Sequence, residues 1–483
     1  FTFSRKRGMA ILLRQGLRAS KHATVSARAL SVVPFDEAKQ IAAAKEIDDR
    51  GRACGLKFYQ CSWVDLFGVQ RSKLVPAARI GEIASGGAGF AGFAAHLDMD
   101  PTTGDLLAMP DAATLAPLPW RPEVGWLACD LVHEGAELAH GPRNVLRSVL
   151  AKLEDRGLAL KTGVECEFFL LGGEGPPAVA DALDTQGKPC YDAHALMRRF
   201  DFIGELCEHM EALGWGPYQA DHEDANGQFE INWDFDDALA TADRVVFFKY
   251  MVRSLAEARG LRATFMPKPF AHLTGSGCHA HCSLHDASTG ANVSGGGAGP
   301  HGLSPAASSF IAGVLESVRG VAALTNPTVN SYKRLGARST ASGATWSPNA
   351  ATWAGNNRTA LVRVPDDRRF ELRLADMSCN PYLAAAAVAA AGLDGLEREM
   401  VLPPPSDLNL FDAADPAARA AVAAATPLPS ELRDALDALD GDAGLRAGLG
   451  DAFVDSYLKL RRAHWADYAA TLSPFEFDHY LDC

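Results

Sequence analysis

Four short stretches constrain the fold of this chain more than anything else in it. In VECEFFLL (164–171), GQFEINW (227–233), GCHAHCS (277–283) and RRFELRL (368–374), polar and apolar side chains alternate. In an extended strand, successive side chains point to opposite faces. Glu165 and Glu167 therefore share one face, and Val164, Cys166 and Phe168 the other. Glu230 and Asn232 oppose Phe229, Ile231 and Trp233. His279, His281 and Ser283 oppose Cys278, Ala280 and Cys282, and Glu371 and Arg373 oppose Phe370, Leu372 and Leu374. One such strand is an ordinary half-solvated sheet. Four predict a curved sheet with its apolar face on the core and an inner surface of ionisable groups. Carboxylates crowded on such a surface repel one another unless cations sit among them. An oxygen-rich donor set with a histidine suits Mg²⁺ or Mn²⁺, hard ions that serve phosphoryl transfer. The HAHC run lacks a second Cys/His pair, which counts against zinc.

A second feature is the run of cations in Asn326–Arg373. It opens with NPTVNSYKRLGARS and closes with NNRTALVRVPDDRRFELR, and it holds Arg334, Arg358, Arg363, Arg369 and Arg373. Guanidinium forks at this density match a heavily anionic ligand, such as a nucleoside triphosphate or a dicarboxylate. Lys333, beside Arg334, reads as a solvated charge.

The remainder of the chain sets the frame. A length of 483 residues predicts two domains. A net charge of −13 argues against a general nucleic-acid binder. Ten cysteines without CxxC spacing read as reduced thiols. The longest apolar run, Leu383 to Leu393, is far short of the ~20 residues that span a bilayer. Residues 1–34 are basic and acid-free, the composition of a mitochondrial or plastid transit peptide. A basic tail on a cytoplasmic protein is the alternative. A helix is expected to about Gly55, then a hairpin turning at Asp65–Gly68, and a strand over Trp120–Leu131. GAGFAG (87–92) formally fits a dinucleotide fingerprint but lacks a βαβ unit, so it reads as a loop. Asp98–Asp111 reads as turns. Residues 35–137 thus form a small, mainly β domain, and residues 138–483 a larger one opened by a helix from Pro142.

At this point the motifs carry a resemblance. VECEFFLL, DHEDANGQFEIN, TGSGCHAHCSL, NPTVNSYKRL, NNRTALVR and RFELR, in this order, resemble the glutamine synthetase superfamily from about residue 55 to the C-terminus. The resemblance implies an α+β fold: an N-terminal β-grasp domain, then a catalytic domain with a curved antiparallel sheet flanked by helices. It implies a homo-oligomeric ring, a dodecamer or similar, with sites between subunits. ATP and two divalent ions would convert glutamate to γ-glutamyl phosphate, which ammonia or a small primary amine then attacks. Carried over by motif, Glu167, Glu223 and Glu230 would hold one ion, and Glu165, His279 and Glu371 the other. Arg334 and Arg373 would clamp glutamate beside the Gly275 backbone. His281, Ser283, Arg363 and Arg369 would lie along ATP, with Arg358 at the transferring phosphoryl group. Asp65 would reach a neighbouring subunit's site and help deprotonate the amine; turn chemistry is its alternative.

Three departures bear on the nucleophile and on control. The segment LGARSTASGATWSPNAATWAGN (335–356) has no acidic residue, whereas the family's ammonia-using members carry a glutamate just after the NSYKR run. Thr274 stands where the family often has Asn, and Phe411 replaces the Tyr that could be adenylylated. The acid-free, Trp-bearing flap is similar to that of type III-like enzymes, γ-glutamylmethylamide synthetases among them. An alkylammonium has fewer N–H donors and an apolar methyl, so it needs fewer carboxylates and more aromatic surface. Trp346 and Trp353 could supply that surface or simply pack. A bulkier amine such as ethanolamine or a polyamine, and a non-catalytic structural role, are the remaining readings. The last should go with lost metal carboxylates, and all six candidate ligands are present.

Overall fold

The computed structural model describes residues 36–172, 175–337 and 340–483. The basic segment 1–34 and its targeting reading fall outside these. A helix over Glu37–Ala53 starts where Asp36 accepts a hydrogen bond from the Lys39 amide at 3.0 Å, and it buries Ala44 and Ile47. Seven strands follow: β1 (Phe58–Val64), β2 (Gln70–Pro76), β3 (Ala88–Phe90), β4 (Leu106–Pro110), β5 (Ala116–Leu118), β6 (Arg121–His133) and β7 (Ala136–Glu137). β1 pairs antiparallel with β2 and parallel with β6 in one mixed sheet, a β-grasp arrangement. The expected hairpin is the β1–β2 pair, with Gly68 at φ +82° in its tip.

Two readings of this region are corrected. GAGFAG is not a loop: it forms β3 and enters a 3₁₀ turn, Gly92–Ala95, with no helix after it. Asp98–Asp111 is not only turns, because β4 lies within it and pairs with β6. Both strands are short and were masked by their glycines and prolines.

The helix Pro142–Glu154, with proline in its first turn, follows β7. Its Arg143 is buried and binds Asp111 at 2.8 Å, Asp130 at 2.8 Å and Asp243 at 2.9 Å; Tyr382 donates to the same Asp243 at 2.6 Å. One guanidinium thus joins the first sheet to two later helices.

Ten further strands make two sheets. β8 (Leu158–Val164), β12 (Asp236–Asp237), β14 (Ala280–Asp286), β15 (Trp353–Ala354), β16 (Val362–Asp366) and β17 (Arg369–Leu372) form one, in the order β12-β8-β14-β17-β16-β15. β9 (Cys166–Gly172), β10 (Pro217–His222), β11 (Gln228–Trp233) and β13 (Leu261–Thr264) form the other, in the order β10-β11-β9-β13. VECEFFLL is therefore not one strand. It breaks at Glu165, with β8 in one sheet and β9 in the next, and that break bends the combined surface. The predicted alternation holds across it: Cys166, Phe168, Phe229 and Ile231 are in the core. Behind β9 and β11 packs the helix Ala238–Glu257, whose Phe248 ring lies 6.1 Å from that of Phe168. All ten cysteines are free thiols. Among the described residues, no single helix is long and apolar enough to cross a membrane.

Candidate active site

Strand register builds the first half of the site. Glu230 on β11 stands opposite Glu167 on β9, and its other neighbour, on β10, is Asp221. Three carboxylates thus form one row across three strands, an arrangement that costs stability when like charges face each other. Glu223 follows β10 directly, and ligand oxygens of Asp221, Glu223 and Glu230 lie within 4.8 Å of one another. Burial, then the charges of Glu165 and Glu167, push Asp221 up to about 6. Burial, then Glu167 and Asp221, raise Glu223 well above the ordinary carboxylate range. Burial, then Glu165 and Glu223, do the same to Glu230. Asp221 Oδ1 is buried and finds no partner. Hard oxygens that cannot all ionise together, one of them orphaned, fit a divalent cation.

The second half gathers at the sheet break. Glu165 Oε2 accepts from His279 Nδ1 at 2.8 Å, and Oε1 from His281 Nε2 at 3.0 Å. Burial pushes this carboxyl up, but the two imidazole hydrogen bonds outweigh it and hold Glu165 well below its usual range. Glu371 sits between His281 and Arg363 in the register of β14, β17 and β16. Arg363 donates to it at 2.6 Å and Arg373 from the same strand face. Burial is again overcome, here by Arg373 and His279, so Glu371 is also lowered. Glu165, His281 and Glu371 present ligand atoms within 4.8 Å. His279, the imidazole assigned to this ion from sequence, lies 3.7 Å from Glu371, so both histidines reach the group.

Glu165, Glu167, Asp221, Glu223, Glu230 and His279 line a cavity of about 450 Å³ together with Gly275, Arg334, Arg358 and Arg373. Arg334 is buried, donates to the Leu374 carbonyl at 2.9 Å, and has no carboxylate at ion-pair distance among the described residues. Burial lowers its pKa, and a buried cation so placed is suited to an anionic ligand. Glycine is required at the turn beside it. A Cβ on Gly275 would sit 2.3 Å from the Pro267 carbonyl, and one on Gly277 would meet Glu167 Oε1 and His279 Nε2 at 2.8 Å. The Gly277 amide donates to Glu167 at 2.8 Å.

A second cavity of about 750 Å³ adjoins the first, and Glu165 lines both. His281, Ser283 and Arg369 line it. Arg363 does not: its guanidinium is taken up by Glu371 and by Asn356 at 2.9 Å. Asp65 is also absent from either cavity. It is fully buried and accepts from the Phe67 and Val69 amides at 2.9 and 3.0 Å and from Arg71 at 2.8 Å. That geometry supports the turn-capping alternative, because no face of the carboxylate is free to reach a neighbour. Trp353 is buried and donates to the Pro403 carbonyl at 2.6 Å, a packing role. Trp346 lines the cavity. Lys333 is exposed, as read.

Sequence reasoning missed Asp221 and Asp224. The first could have been found by extending the alternation to PYQADH, since register puts Asp221 beside Glu230. The second shows itself only through contacts with distant loops.

Residues 139–480 match the family described as glutamine synthetase, catalytic domain. The chain is 49% identical to a glutamine synthetase of Rhizobium leguminosarum bv. phaseoli over 427 residues, 88% of this chain and 97% of that protein. The chain belongs to the glutamine synthetase family. It is also 41% identical to a glutamate–methylamine ligase of Methyloversatilis universalis, over 88% of this chain and 96% of that protein. A solved GmaS–ADP complex superposes with a TM-score of 0.86 at 53% identity, covering 90% of this chain and 99% of that one. As a glutamine synthetase family member the chain is an ATP-dependent ligase that joins glutamate to ammonia or a primary amine and uses a divalent metal. Its fold is the family's α+β fold. These relatives are bacterial, which gives an organelle address no support.

Proposed function

We propose that the chain uses a primary alkylamine, methylamine above all, at least as well as ammonia. The observation that carries this reading is the cavity wall Ser342–Trp346, which bears an indole and no carboxylate. A methylammonium presents a methyl to such a wall and has fewer donors to satisfy than ammonium.

In this reading ATP lies in the larger cavity along His281, Ser283 and Arg369, and Arg334 and Arg373 clamp the glutamate carboxylates beside Gly275. Arg358, exposed at the cavity wall, meets the phosphoryl group in transfer. The divalent ions, Mg²⁺ or Mn²⁺ by their oxygen donors, would be held by Glu167, Asp221, Glu223 and Glu230 and by Glu165, His279, His281 and Glu371. When bound they offset charge on the γ-phosphoryl group and on the carboxylates. The γ-carboxylate attacks phosphorus and ADP leaves; the amine then attacks the γ-carbon of the acyl phosphate and phosphate departs. With Asp65 spent on its own turn, the amine's proton passes to a carboxylate of the cavity itself. We also propose that residues 35–137 and 138–483 are the two domains and that the chain assembles as a ring. Leu472, Phe475, Phe477, Tyr480 and Leu481 are exposed at the C-terminus, apolar surface that a second subunit would bury, and mass measurement tests this.

The test of the nucleophile is ATP turnover with glutamate and a panel of ammonia, methylamine, ethanolamine and a polyamine. Methylamine is expected to equal or exceed ammonia in kcat/KM. Ammonia preferred by about tenfold or more over methylamine, the scale of one methyl group in a pocket, overturns the reading.

A further inference from the structure

Asp224 is buried at the cavity, and its Oδ2 accepts two short hydroxyl hydrogen bonds, from Thr274 at 2.6 Å and from Ser342 at 2.5 Å. Thr274 immediately precedes Gly275, in the turn that lies against Arg334. Ser342 belongs to residues 340–349, which contain no helix or strand and supply the wall Ser342–Trp346. Among the described residues, few bonds tie this wall to the rest of the fold; within the segment the Thr340 hydroxyl meets that of Ser342 at 3.1 Å and donates to the Ala344 carbonyl. The Ala341 amide donates to the His272 carbonyl at 2.8 Å, and Arg373 reaches the Trp346 carbonyl at a long 3.5 Å. Trp346 itself has φ +53°, a conformation that a bulky residue keeps only when its surroundings hold it there. The bond from Ser342 is charge-assisted and therefore the strong one of the set.

We propose that Asp224 is a positioning residue, a latch that holds the Ser342–Trp346 wall shut over the activated glutamate. This rests on the acyl-phosphate reading above. In the productive step the amine nitrogen bonds to the γ-carbon, the bond from that carbon to the phosphate oxygen breaks, and phosphate leaves. Water attacking the same carbon breaks the same bond and returns glutamate and phosphate. A closed wall excludes that water. The latch therefore sets the ratio of phosphate released to amide formed, rather than the rate of activation. Because one oxygen serves both Thr274 and Ser342, it also ties the wall to the turn beside the glutamate.

The test compares the unmodified protein with Ser342→Ala, Ser342→Thr and Asp224→Asn, measuring phosphate and amide together with ATP, glutamate and methylamine. Ser342→Ala should raise phosphate per amide and the KM for methylamine, each by about tenfold, the size of one lost charge-assisted hydrogen bond. Ser342→Thr, which restores a hydroxyl, should return the ratio to that of the unmodified protein, and Asp224→Asn should uncouple in the same direction as Ser342→Ala. An unchanged ratio in Ser342→Ala, or equal uncoupling in Ser342→Thr, overturns the latch while the ligase reading stands. Failure of the unmodified protein to form any amide overturns both.

Discussion

Glu230 and Glu167 face each other across adjacent antiparallel strands, both buried, with Asp221 in register on the far side of Glu230. A fold that aligns three acids in this way has accepted a destabilising row for a purpose. The same strands put Phe168, Phe229 and Ile231 into the core, so the row cannot turn away without exposing them.

The protonation state of this row should show in stability. Asp221 is raised to about 6, and Glu223 and Glu230 lie well above the ordinary range. With chelator present, the folded chain keeps protons that the unfolded chain releases near pH ~4. Their stabilisation is complete at low pH and is lost as pH rises through about 6 and beyond. The melting temperature of the ion-free protein should therefore fall across that interval, and Glu230→Gln should flatten the fall. Divalent ion should reverse it and release protons on binding, so affinity rises with pH. Calorimetry in two buffers of different ionisation enthalpy measures the protons; zero release would contradict the assignment.

Arg334→Gln should raise the KM for glutamate by about 10²-fold, the loss expected for a buried charge-assisted pair. ATP binding, followed with a fluorescent nucleotide, should change little, because Arg334 does not line the cavity given to the nucleotide. Equal loss of both affinities would argue that the substitution has collapsed the turn.

The two tryptophans should behave differently. Trp346→Ala should cost methylamine about tenfold in kcat/KM and cost ammonia less, as removal of an apolar contact does. Trp353→Phe should leave the ratio of the two amines unchanged and lower the melting temperature slightly, since it loses only the bond to Pro403. A shifted ratio in the second variant would move the amine's site.

Arg143→Met should destabilise by about 3 kcal/mol, because it leaves the buried Asp243 and the half-buried Asp111 without their cation. Thermal unfolding should split or shift, while the KM for each substrate in the folded protein stays near its original value. An unchanged melting curve would mean that Arg143 does not join the two parts.

Much of the catalytic half was legible because period-2 alternation is a local property of the chain. Glu165, Glu167, Glu230 and Glu371 were read as the polar positions of their stretches; the first three line the cavity, and Glu371 offers a ligand atom within 4.8 Å of those of Glu165 and His281. The helix from Pro142 and the hairpin at Asp65–Gly68 were legible from proline and turn chemistry alone. Local pattern does not say which strands become neighbours. The row Asp221–Glu230–Glu167, the split of VECEFFLL at Glu165 and the capture of Arg363 by Glu371 all arise from strand pairing and register, which alternation within a single stretch does not specify. Asp65 shows the same division: Asp before a turn glycine suits both a cap and a catalytic acid, and only its burial against Arg71 separates the two. Residue type and spacing thus pointed to the candidate donors, the arginines and the family. Register, burial and the fold of the wall around Asp224 decided which groups share a cavity, because only packing brings residues 224, 274 and 342 to one oxygen.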